Sequence, residues 1–149
     1  MKKQQKILIV VAIVALLAVS CFAFAACGKK YVQQKDTAVY FTVDKDVMAN
    51  VDGKTLQDYM DALVKKDQLT YSGESTAYGL MIDTVNDIKA DASKGEYWFL
   101  YSDDDEYSNG DWGTYDLNGK TYKSTTLGAS SLPIKIGCTY VLMMSVSTY

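Results

Sequence analysis

The sequence lacks two side chains on which much enzyme chemistry and nucleic-acid binding depend. Its 149 residues include no histidine, and all 15 basic residues are lysines, so arginine is absent too. Without histidine there is no Ser-His-Asp or Cys-His site and no histidine ligand for zinc. Without arginine there is no guanidinium fork for phosphates or guanine edges, and the net charge of −3 disfavours nucleic acid as a partner.

Catalytic motifs are lacking as well. The sequence contains no nucleophile elbow, no phosphate-binding loop and no dinucleotide fingerprint. Paired carboxylates can hydrolyse glycosides, but such sites lie in deep clefts that a domain of this size rarely supplies. We therefore expect a protein that is not an enzyme. The length and the 48% hydrophobic content are typical of one globular domain.

The N-terminal segment predicts where the protein is located. Three lysines precede an unbroken apolar run over residues 7–19, which is typical of a signal peptide. The next charge is Lys29, so the uncharged stretch is also long enough for an uncleaved transmembrane anchor. A third alternative is a secreted protein without an anchor.

The end of this segment, Ala25-Ala26-Cys27-Gly28, resembles a bacterial lipobox. The resemblance implies that residues 1–26 are a lipoprotein signal peptide and that lipid is attached to Cys27. The protein would then be anchored to the cell membrane on its extracytoplasmic face, because two or more acyl chains give stable anchoring. Cys21 is a second candidate for the residue after the cleavage site. With cleavage before Cys27, Cys21 is removed and Cys27 is lipidated, so Cys138 has no disulfide partner. Its place on an apolar strand face predicts a buried, inert thiol.

Hydrophobic periodicity predicts an α+β domain over residues 38–149, preceded by a polar, membrane-proximal tether over residues 27–37. Residues 39–44 alternate as in a half-buried strand. One amphipathic helix follows, with Thr55 as its cap and an apolar stripe of Leu56, Tyr59, Met60, Leu63 and Val64. The later strands are predicted at residues 77–83, 97–101, on both sides of Asn118-Gly119, and at Thr139–Val146. We expect the helix to cover one face of a mixed sheet.

Four stretches in this order are similar to a known domain: residues 53–56, 78–86, 95–101 and 132–137. The domain occurs in many Gram-positive lipoproteins and is related to the C-terminal β-domain of transcobalamin and intrinsic factor. The resemblance implies a β-grasp-like mixed sheet with one helix packed on one face. It also implies a corrinoid as a candidate ligand, although most proteins with this domain of unknown function have no established one.

An acidic loop over residues 103–113 is a candidate calcium site. Its carboxylates supply the hard oxygen ligands that Ca²⁺ prefers, and the spacing from Asp105 partly follows an EF-hand loop. Tyr107 breaks that pattern at the third position. The sequence therefore leaves two alternatives: a weak Ca²⁺ site formed by Asp103, Asp105 and Asp111, or a solvated acidic loop.

The same loop carries aromatic residues that are hard to bury and could stack on a flat ligand. The predicted ligand-binding residues are Tyr107, Asn109, Trp112 and Tyr115. We expect a binding module for a corrinoid or another small molecule that is delivered to a transporter. The alternative is a surface domain that contacts a protein and has no small ligand. A pocket lined by Trp112 and Tyr107 would favour the first function, and a flat aromatic face would favour the second.

Overall fold

The structure, a computed structural model, describes residues 28–147. The predicted signal peptide, with Cys21 and Cys27, lies outside the described residues. Within the described residues, one helix lies between the second and third of nine strands, and a short 3-10 turn, Ala92–Lys94, precedes the sixth strand. The elements are β1 Val32–Lys35, β2 Ala38–Thr42, α1 Leu56–Lys65, β3 Tyr71–Thr76, β4 Gly79–Val85, β5 Ile88–Lys89, β6 Glu96–Ser102, β7 Thr114–Leu117, β8 Lys120–Ser124 and β9 Thr139–Val146.

The strands form two sheets, so the predicted α+β class is confirmed. A six-stranded sheet has the order β1-β2-β9-β6-β8-β7, and a three-stranded sheet has the order β3-β4-β5. The expectation of a mixed sheet is wrong, because every strand pair within residues 28–147 is antiparallel. A parallel pair needs a crossover that returns to the same sheet. Here α1 leads from β2 into the second sheet instead.

The helix begins at a capping box. The Oγ1 of Thr55 accepts a hydrogen bond from the backbone N–H of Asp58 (3.3 Å), and the Thr55 N–H donates to Asp58 Oδ2 (2.9 Å). That backbone bond is the main cause that lowers the pKa of Asp58. Of the predicted apolar stripe, Leu56, Tyr59, Met60 and Leu63 are fully buried, whereas Val64 is 39% exposed. The helix is thus confirmed, and its buried face is narrower than predicted.

The main core lies between α1 and one face of the six-stranded sheet, as expected. The rings of Phe41 on β2 and Tyr59 on α1 are 5.6 Å apart. The Tyr59 hydroxyl donates to the Thr42 carbonyl (3.2 Å), which fixes the helix against the end of β2. Cys138 is half-buried against this core, and burial raises the pKa of its thiol.

The opposite face of the large sheet carries a second apolar cluster, formed by Ala38, Tyr101, Leu117, Tyr122 and Val141. The β7–β8 hairpin turns through Asn118 and Gly119, which both have positive φ, as its sequence predicts. The Asn118 Nδ2 donates to the hydroxyl of Tyr40 (3.1 Å) on β2, three strands away in the sheet. The sheet is therefore curled.

Three strands were not predicted, and all lie at sheet edges: β1, β3 and the two-residue β5. β1 occupies residues that were expected to be a tether, and its residues after Val32 are all exposed. β3 is exposed at every position after the half-buried Tyr71. Neither β1 nor β3 has an apolar–polar alternation, because neither strand buries a whole face. The compact unit consequently begins at Tyr31 instead of residue 38.

Candidate functional site

The acidic loop between β6 and β7 is tied down by lysines from distant parts of the chain. Two of them lie on β8, and the third lies just before β9. The ion pairs join Asp103 to Lys120 (2.5 Å), Asp105 to Lys123 (2.7 Å), and Lys135 to both Asp104 (3.0 Å) and Glu106 (2.5 Å). The four consecutive acids, residues 103–106, are thus paired with three lysines, and Asp104 and Glu106 share Lys135.

Each of the three predicted calcium ligands already has another side-chain partner. Asp103 and Asp105 face different lysines, and Asp111 Oδ2 accepts a hydrogen bond from Asn109 Nδ2 (2.5 Å). Within residues 28–147 there is no group of three His, Cys, Asp or Glu side chains that could hold a metal ion. The structure therefore does not bring Asp103, Asp105 and Asp111 together.

The electrostatics of the loop follow from the lysines. The hydrogen bond from Lys123 lowers the pKa of Asp105, and that from Lys135 lowers the pKa of Glu106. In turn Glu106, and then Asp104, raise the pKa of Lys135. Asp104 is 4% exposed, and its Oδ2 is the one buried side-chain nitrogen or oxygen atom in the described part of the chain that has no hydrogen-bond partner.

The predicted ligand-binding residues of the loop also lie in different surroundings. Tyr107 packs against the main core, with the Lys135 Nζ 5.4 Å from its ring centroid. Tyr115 packs in the second cluster, 5.8 Å from Tyr101. Trp112 is 68% exposed, and only its backbone is held, by the Oγ of Ser124 (3.0 Å). Tyr107, Asn109, Trp112 and Tyr115 therefore do not converge on one ligand position.

An apolar groove lies elsewhere, where the two sheets meet. Its volume is about 230 Å³, and it runs between β4 and β6. Leu80 and Ile82 come from β4, Trp98 and Leu100 come from β6, and Gly128 also lines the groove. The groove therefore combines aliphatic walls with one indole ring, as small-molecule and peptide sites often do.

Two hydrogen bonds hold the groove in shape. The Trp98 Nε1 donates to the Asp83 carbonyl (3.1 Å), which joins β6 to the smaller sheet. The Leu80 N–H donates to the Oγ of Ser130 (3.2 Å). Gly79 permits this approach, because it has φ +106° and an added Cβ would lie 2.4 Å from that Oγ.

The rim of the groove exposes large apolar side chains. Tyr78, in the β3–β4 turn, is 98% exposed, and Met81 is 57% exposed. Tyr97 is exposed beside them. Contiguous exposed apolar groups mark interaction sites more often than scattered ones do. The sequence contains these residues in two predicted strands, but it gives no signal that the strands lie side by side.

Residues 53–118 match the family model of a domain of unknown function, DUF4430. The matched stretch includes α1, β4 and β6, and therefore most of the groove lining, but not Gly128. No curated protein and no solved structure matches the chain. Among the residues that the structure describes, none forms a helix long and apolar enough to cross a membrane.

Proposed function

We propose that this protein is a non-catalytic binding module, held at the extracytoplasmic face of the cell membrane by lipid on Cys27. The location is supported by the apolar run and by Ala25-Ala26-Cys27-Gly28. The binding function is supported by one observation above all: an apolar groove with exposed aromatic residues at its rim. We therefore propose the groove as the binding site in place of the acidic loop, because the aromatic side chains of the loop do not converge.

The first candidate ligand is a corrinoid or another small molecule with a flat apolar face, delivered to a transporter. The transcobalamin-like order of motifs favours a corrinoid, and the indole of Trp98 offers a flat surface. Ligand pockets usually measure about 300–1,000 Å³. A groove of about 230 Å³ would take one edge of such a molecule and leave the remainder outside.

Calorimetric titration of the full-length chain in detergent with cobinamide, cobalamin and Ca²⁺ tests this function. Tyr78→Ala and Trp112→Ala are matched variants, since both remove a largely exposed aromatic ring and only Tyr78 lines the groove. We expect Tyr78→Ala to weaken corrinoid binding and Trp112→Ala to leave it unchanged. The reverse result would place the ligand on the loop. Absence of heat with both corrinoids would reject a corrinoid ligand.

The second candidate function is a contact with a partner protein. The rim favours it, because Tyr78 and Met81 project into solvent and do not enclose the groove. Protein interfaces are enriched in tyrosine and methionine at their centres. A partner would cover this rim as well as the groove.

A further inference from the structure

The edge of β6 beside the groove is incompletely paired, although β6 lies inside the large sheet. On one side β6 pairs with β9 along its whole length, from Glu96 to Ser102. On the other side β8 pairs with Tyr101 and Ser102 alone. The first part of β6 thus has an open edge, and the groove lies along it.

The hydrogen-bond pattern between β6 and β9 determines which backbone groups of β6 face the open edge. The Ser147 N–H donates to the Gly95 carbonyl (2.7 Å), and the Asp103 N–H donates to the Thr139 carbonyl (3.4 Å). Odd-numbered residues of β6 therefore bond to β9, because antiparallel pairs alternate. The backbone groups of Glu96, Trp98 and Leu100 point the other way.

Two contacts close the ends of the open edge. The Glu96 N–H donates to the Asp91 carbonyl (3.1 Å), and the Leu100 carbonyl accepts from the Thr125 N–H (3.0 Å). Between them lie the Glu96 carbonyl, both backbone groups of Trp98 and the Leu100 N–H. None of these four groups has a hydrogen-bond partner within residues 28–147.

The gap exists because the chain turns away after β8. The N–H of Thr126 donates to the carbonyl of Tyr107 (2.8 Å), which directs the chain towards the acidic loop and away from β6. Gly128, which follows this turn, lines the groove together with Trp98 and Leu100. A space is left where a longer β8 would have continued the sheet.

We propose that an extended peptide segment of a partner protein binds here as an added strand on β6, with an apolar side chain in the groove. This inference rests on the binding function proposed above and names its partner class. Donors and acceptors that recur every second residue match the backbone of a strand, which rises roughly 3.3 Å per residue. Leu80 and Trp98 supply the apolar contact that gives such a peptide its specificity.

Position and length limit the peptide. Asp91 and Thr125 occupy the two ends of the edge, so the paired part of the peptide spans the few residues opposite Glu96 to Leu100. The residue whose side chain enters the groove is large and apolar, since the walls offer no charged partner. A second copy of this chain is the other possible source of a strand, and the test separates the two.

The probe is a phage-displayed library of random heptapeptides, selected against the full-length chain in detergent. Gly128→Leu serves for counter-selection, because an added Cβ at this residue meets no atom within 4 Å and φ is ordinary. We expect selected peptides to bind the wild type and Trp112→Ala equally, and to lose affinity for Gly128→Leu. N-methylation of the peptide residues that face β6 should weaken binding at least about tenfold, and N-methylation of their neighbours should not.

Amide hydrogen exchange measures whether peptide binding protects the backbone N–H groups of β6. We expect the N–H groups of Trp98 and Leu100 to exchange faster than those of Tyr97 and Phe99, and to become protected when the peptide binds. Binding without protection at Trp98 and Leu100, or indifference to which residues are N-methylated, would overturn strand addition. Protection that depends on protein concentration without peptide would identify a second copy as the occupant.

The two proposals fail in distinguishable ways. If a corrinoid binds and Tyr78→Ala weakens it, while no peptide protects Trp98, the binding module stands and strand addition is rejected. If Tyr78→Ala does not change corrinoid binding and Gly128→Leu does not change peptide binding, the groove is not the binding site. Both proposals are then rejected.

Discussion

Leu63 and Val64 are neighbours on α1 with opposite surroundings. Leu63 is fully buried in the main core, whereas Val64 is partly exposed. We expect Leu63→Ala to lower the free energy of unfolding by about 2–5 kcal/mol, because it leaves a cavity between helix and sheet. Val64→Ala should lower it by less than about 1 kcal/mol. Urea denaturation measures both, and equal effects would show that α1 does not pack on the sheet as described.

The burial of Asp104 depends on a residue that is distant in the sequence. Its carboxylate is buried, and it receives its charge partner from Lys135, far along the chain. Burying a carboxylate without a cation is costly, so the lysine determines whether this loop can pack. In the sequence, Asp104 is one of four consecutive acids, and nothing distinguishes it from Asp103 or Asp105.

At the scale of elements, the acidic loop should depend on pH. The pKa values of Asp105 and Glu106 are lowered in the folded state by Lys123 and Lys135. A lowered pKa adds stability above the unfolded value, near 4, and this contribution is lost as pH falls through the folded value. We therefore expect the free energy of unfolding to decrease as the solution is acidified below about pH 4.

The variant Lys123→Met is the control for this pH dependence. It removes the cation that lowers the pKa of Asp105 and keeps Lys135 beside the buried Asp104, so its stability should fall less steeply between about pH 4 and pH 2. Chemical denaturation at a series of pH values, at low salt, compares the two proteins. Identical slopes would mean that the ion pair between Asp105 and Lys123 is screened by solvent and contributes nothing to folding.

Elements with their own periodicity could be predicted from the sequence, and elements defined by their neighbours could not. The stripe from Leu56 to Leu63 identifies α1, and Asn118-Gly119 identifies the β7–β8 turn. β1 and β3 bury no face and so leave no pattern. The groove was missed for the same reason, because Leu80 and Trp98 belong to different sheets and meet only in the folded chain.

At the scale of the whole molecule, the proposed lipid anchor would compensate for the modest affinity of a shallow groove. Four backbone hydrogen bonds and one apolar side chain would give modest affinity for a short peptide, because each net bond contributes about 1 kcal/mol. Lipid on Cys27 would confine the protein to the membrane surface, where a membrane-bound partner is present at high effective concentration. Weak strand addition would then suffice for a lasting contact.

The anchor itself is tested by two matched cysteine variants. We expect mass spectrometry of the membrane fraction to detect a mature N-terminus at Cys27 that carries a diacylglyceryl group, because small residues directly precede this cysteine. Cys27→Ser removes the thiol that accepts the lipid, so this variant should lack the modification and lose its membrane attachment. Cys21→Ser should remain lipidated and membrane-bound. Lipid on Cys21, an intact Met1, or unchanged location of Cys27→Ser would contradict anchoring through Cys27, and the last two results would favour the transmembrane alternative.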